Sequence, residues 1–148
     1  MKEKTTTVLS VFPATHSKKL HSQPLYVSQP AAGFPSPGDD LVEKALDLND
    51  LLVENESATF FVRVSGDSME GAKIFDGDIL VVDRSVEARS GHIVVAAVYG
   101  ELVVKRLLSK GNKLFLISEN DQYKPIQIDE TEGCFIWGVV TGSARVIL

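Results

Sequence analysis

The sequence predicts a mostly β fold: a small domain with a coiled or barrel-like antiparallel sheet, preceded by one short helix and a flexible N-terminal arm. Three observations lead there. From Thr59 onward, segments dense in β-branched and aromatic residues follow one another. Glycine- and aspartate-bearing turn signals separate them. Ahead of them, residues 1–38 carry five of the six prolines, many Ser and Thr, and no sustained periodicity.

Taken in chain order, residues 1–38 are expected to form the arm and residues 39–148 the β domain. Asp39–Leu46 (DDLVEKAL) is expected to be the helix, with acidic residues in its first turn and Leu41, Ala45 and Leu46 near one face. Strands are expected at 59–64, 79–82, 92–98, 102–107, 113–117 and 135–140. Asp76-Gly-Asp78, Ser90-Gly91, Tyr99-Gly-Glu101 and Lys110-Gly-Asn112 supply the turns. Short strands at this spacing argue for a barrel-like sheet.

Charge and cysteine usage narrow the function classes. The arm up to residue 32 carries Lys2, Lys4, Lys18 and Lys19 against Glu3, a net +3; with −5 overall, the other 116 residues hold −8. An acidic body is ill suited to gripping DNA phosphates. Cys134 is the sole cysteine, so no intramolecular disulfide forms and a reducing, cytoplasmic setting is expected. No apolar run approaches the roughly 20 residues that span a bilayer, and Val8–Phe12 is too short for a signal-peptide core.

Several chemical motifs fail on inspection. Gly66–Lys73 (GDSMEGAK) opens like a phosphate-binding loop but lacks the Lys-Ser/Thr after its second glycine. Asp76-Gly-Asp78 lacks the spaced ligands of a calcium loop, and His16, His21 and His92 show no metal spacing. No metal or cofactor is expected. A triad of Ser68, His92 and an aspartate is the weaker option for a serine.

Ser68 and Lys105 remain. Ser68 follows a strand and sits between Gly66 and Gly71, where a sharp turn presents a hydroxyl and backbone N–H groups together. Lys105 is the one charge in Leu102-Val-Val-Lys105, with Val103 and Leu107 on its face. An ordinary lysine is only about 0.04% neutral at pH 7. Burial disfavours the charged form, and a neutral amine accepts a proton from a serine. From spacing alone, a lysine snorkelling to water from an edge strand is the stronger reading.

The motifs SGDSM (65–69), IFDGDILVVD (74–83), GHIVVAAV (91–98) and VVKRL (103–107) resemble the LexA/UmuD family of self-cleaving Ser-Lys peptidases. GFPSP (33–37), DLNDLL (47–52), SATFF (57–61) and WGVV (137–140) place the resemblance in its SOS-mutagenesis branch. The resemblance is collinear over about residues 28–145. It implies Ser68 as nucleophile, Lys105 as general base, and the backbone N–H groups of Asp67 and Ser68 as the oxyanion site. It further implies self-cleavage between Ala32 and Gly33, stimulated by a RecA–single-stranded-DNA filament. A homodimer and a UmuC-like Y-family DNA polymerase are the implied partners. Ala32 departs from the cysteine of that branch towards the Ala-Gly of LexA. Residues 1–32 are too few and too Pro- and Ser-rich for a helix-turn-helix, which disfavours a LexA-like regulator. A non-catalytic interaction module with the same fold is the other alternative.

Overall fold

The computed structural model describes residues 5–15, 45–120 and 124–148. The Ala32–Gly33 bond and most of the helix expected at Asp39–Leu46 lie outside them. Ala45 and Leu46 are not helical. Among the described residues the α-helix is α1, Leu48–Leu52, and it starts where Asp47 caps it by accepting the Asn49 N–H at 2.8 Å. A side-chain cap fixes a helix start more sharply than a run of acids favouring the dipole.

Among the described residues eight strands form one antiparallel sheet: β1 Thr7–Pro13, β2 Thr59–Ser65, β3 Ile79–Asp83, β4 Ile93–Val98, β5 Glu101–Lys110, β6 Lys113–Ile117, β7 Ile126–Gln127 and β8 Phe135–Ala144. The six expected strands are present: Lys113–Ile117 has the expected bounds, and the other five are extended or trimmed by one to four residues at their ends. Strand β1 corrects the reading of the arm, which gave residues 1–38 no regular element. Its β-branched residues pair along β2 from Thr7↔Ser65 to Pro13↔Phe60, with the register shifting at Leu9. Pairing with β2 organises a segment that has no period of its own.

The strand order is β1-β2-β3-β8-β4-β5-β6-β7, and β1 also meets β5. Thr7 pairs with Val103, and the Val104 N–H donates to the Thr6 carbonyl at 3.0 Å. That contact closes β1, β2, β3, β8, β4 and β5 into a ring, the barrel-like sheet expected from the sequence. Strands β6 and β7 continue from the edge of β5 beyond the closure.

Strand β8 serves two neighbours, with Val139 opposite Asp83 on one side and Val94 on the other. Register shifts at Thr141 and Trp137 bend it between them. Gly138 permits the approach, since a Cβ there would lie 2.5 Å from Val82 Cγ1.

Alternation along the strands divides the core. Val62, Val64, Met69, Ile74, Leu80, Val82, Val95 and Val104 pack together on one face. Val94, Ala96, Val98, Val103, Leu107, Leu116, Cys134 and Val139 form the other cluster. Because β4 is buried on both faces, its sequence is an unbroken apolar run. Among the described residues no helix is long and apolar enough to cross a membrane.

Candidate active site

Gly66 ends β2 with φ +104°, a conformation that glycine adopts without a Cβ clash. Asp76 Oδ1 accepts the Gly66 N–H at 2.9 Å and ties the turn to the loop before β3. The chain then folds through Asp67, Ser68 and Met69 into a single 3-10 turn at Glu70–Ala72. Met69 is fully buried in the first core cluster. Burying such a side chain contributes about 1.5–3 kcal/mol, so it anchors the turn beside Ser68. Ser68 is itself fully buried. Its Oγ accepts the Thr6 N–H at 2.8 Å and donates to Thr6 Oγ1 at 3.2 Å. The backbone of Asp67 and Ser68 forms the entry of this turn.

Lys105 lies in the middle of β5, opposite Val94 of β4, and is 4% exposed. The strand period puts it on the face of Val103 and Leu107, inside the second apolar cluster. Burial lowers its pKa from the ordinary lysine value, as the sequence predicts. Its Nζ donates to Ser118 Oγ at 2.6 Å.

Two routes of contact bring these elements together. Thr6 bonds to Ser68 on one side and to the backbone of Val104, beside Lys105, on the other. Gly71, three residues after Ser68, packs so tightly against Glu119 that a Cβ would lie 2.8 Å from the Glu119 carbonyl oxygen. Glu119 follows Ser118 and is ion-paired with Arg106, which also donates to the Gly91 carbonyl at 2.6 Å. A pocket of about 280 Å³ opens on the lysine side, lined by Thr5, Val98, Tyr99, Glu101, Val103, Lys105, Lys124 and Ile126. Its walls mix apolar Val98, Val103 and Ile126 with the charged Glu101, Lys105 and Lys124.

The remaining candidates sort themselves out. His92 lies in the turn before β4, where its Nδ1 accepts the Arg89 N–H at 3.0 Å. Asp78 is buried and accepts from Arg145 at 2.6 and 2.9 Å and from the Phe75 N–H at 2.9 Å. Asp76-Gly-Asp78 is thus a turn with both carboxylates engaged by the protein. Arg145 holds the Asp78 carboxyl below its usual range. Among the described residues no group of three or more His, Cys, Asp or Glu is placed to hold a metal. Sequence reasoning missed Thr6 and Ser118. The β-branched run Thr5–Val8 was the available signal for the first; nothing in the spacing marks the second.

One barrel-like antiparallel sheet carries both the strand of buried Lys105 and, at the end of β2, the turn of buried Ser68, an arrangement that fits a peptidase domain. The chain belongs to the Peptidase S24-like family, which it matches over residues 24–141. It is 43% identical over 136 residues to Protein MucA of Salmonella typhimurium, covering 91% of this chain and 92% of that protein. Protein ImpA of Shigella flexneri is 42% identical over 120 residues, 80% of this chain and 81% of that one. The LexA repressor of Shewanella piezotolerans is 40% identical over 120 residues, but only 58% of the repressor is covered. These relatives bear out the resemblance read from the sequence.

Proposed function

We propose that this chain is an SOS-response autoprotease that cleaves its own Ala32–Gly33 bond through Ser68 and Lys105. The observation that carries this is that Ser68 and Lys105 are both buried and are linked through Thr6, which bonds to Ser68 on one side and to Val104, next to Lys105, on the other. Neutral Lys105 takes the Ser68 hydroxyl proton as Oγ attacks the Ala32 carbonyl carbon. The N–H groups of Asp67 and Ser68 stabilise the oxyanion. The Ala32–Gly33 C–N bond breaks, Lys105 returns the proton to the Gly33 amine, and water hydrolyses the Ala32 ester. Gly33 lets the scissile backbone approach the serine closely.

By the family resemblance, a homodimer is the working unit and a RecA–single-stranded-DNA filament promotes cleavage by favouring the docked state of the arm. The shortened product then serves a UmuC-like Y-family translesion polymerase as its accessory subunit. Purified protein incubated with the filament and ATP should lose its first 32 residues. Full-length protein persisting while a known substrate of the same filament is cut would overturn the proposal.

A further inference from the structure

Thr6, which hydrogen-bonds to Ser68, belongs to the arm itself, ahead of the bond assigned to cleavage. Thr6 is fully buried, as is Ser68. Its N–H bonds to Ser68 Oγ at 2.8 Å, its hydroxyl takes the Ser68 proton at 3.2 Å, and its carbonyl takes the Val104 N–H at 3.0 Å. Thr5 lines the pocket that also holds Lys105. Beyond them, Thr7 bridges Ser65 and Val103, and Val8 packs on the first core cluster.

We propose that the groove between the Ser68 turn and β5 is a binding site for an extended peptide, and that the chain's own segment Thr5–Pro13 is its resident, uncleaved ligand. A scissile segment needs the same positions, with its carbonyl carbon at Ser68 Oγ and its backbone along the β5 edge at Val104. Two strands cannot share one row of edge donors. The resident segment escapes cleavage because it presents Ser68 with an N–H rather than a carbonyl carbon. That N–H occupies a lone pair of Oγ, and the serine proton points to Thr6 Oγ1. Segment Thr5–Pro13 therefore acts as an internal competitor, and its departure precedes any docking of Ala32–Gly33. The competition rests on the proposed role of Ser68; the occupied groove rests on these contacts alone.

A reversible lock tests it in the full-length chain. Thr7 and Ser65 are register partners with their hydroxyl oxygens 3.5 Å apart, so Thr7→Cys with Ser65→Cys places two thiols for a disulfide. Buried Cys134 stays out of the exchange. Two rates are read in oxidised and reduced protein: release of the 32-residue fragment at alkaline pH, and phosphonylation of Ser68 by a small fluorophosphonate, with fluoride leaving. Oxidation should slow labelling at least about ten-fold, and reductant should restore it. Equal labelling of both forms overturns the inference. Labelling that follows the lock without fragment release in either form sinks the self-cleavage proposal and leaves the occupied groove standing. In a second variant, Thr6→Val deletes one hydrogen-bond partner at constant shape. It should label about two- to ten-fold faster than the parent, and an unchanged or lower rate contradicts the role of Thr6.

Discussion

The amine of Lys105 and the hydroxyl of Ser118 lie 2.6 Å apart and join the middle of β5 to the residue just after β6. A buried lysine on an apolar face has few polar groups to orient it, and Ser118 is one that does. We expect Ser118→Ala to slow cleavage about 10- to 100-fold by loosening the amine. A hydroxyl acceptor also favours the ammonium form, so its loss should move the half-maximal pH of the rate downward. Ser118→Thr should recover most of the rate. A rate loss with no shift in pH profile and no rescue would assign Ser118 a purely structural part.

Lys105→Arg separates a base from a mere cation. Guanidinium keeps its proton at any workable pH, so cleavage should fall about 10²- to 10⁴-fold while the fold survives. Lys105→Ala should match Ser68→Ala, and the double variant should be no worse, because the pair acts as a unit. Fragment release by Lys105→Arg at the parent rate, followed by gel or mass spectrometry, is the contrary result.

The lowered pKa of Lys105 has a sign in stability as well as in rate. Between the folded value and the unfolded value near ~10.4, unfolding takes up a proton, so this residue's contribution to stability rises with pH. Its cost is greatest below the folded pKa and fades above it. Lys105→Met should therefore unfold at higher urea than the parent near neutral pH, with the gap narrowing as pH approaches 10. The cleavage rate of the parent should climb over the same range and then level off. A constant urea gap would mean that the amine is not held neutral by the fold.

Two glycines separate stability from activity. At Gly138 a Cβ would meet Val82 Cγ1 at 2.5 Å, deep in the β3–β8 contact, so Gly138→Ala should cost about 1–3 kcal/mol in urea unfolding. Folded protein should still cleave. At Gly71 the clash is with the Glu119 backbone, next to Ser118, so Gly71→Ala should lower both stability and cleavage. Equal loss of activity per unit of lost stability in both variants would remove this distinction.

Much of this was legible in the sequence because strands and turns are local. The turn at Gly66 and the face of Lys105 follow from residue order and a period of two. What escaped was tertiary. Thr7–Pro13 has no alternating pattern, and its pairing with β2 spans more than 45 residues of sequence, so local propensity could not announce it. Ser118 acquires its contact only when β6 folds back along β5. The described helix Leu48–Leu52 starts at a side-chain cap, Asp47, that the acidic run before it did not point to.

The central claim is that Ser68, activated by Lys105, cuts the chain's own Ala32–Gly33 bond. Intact-mass spectrometry of purified protein held at pH 10 without any added partner tests it most directly. The account predicts a 32-residue fragment ending in Ala32 and a 116-residue product beginning at Gly33, accumulating from the parent and absent from Ser68→Ala. Cleavage at another bond, or equal cleavage in Ser68→Ala, would contradict it.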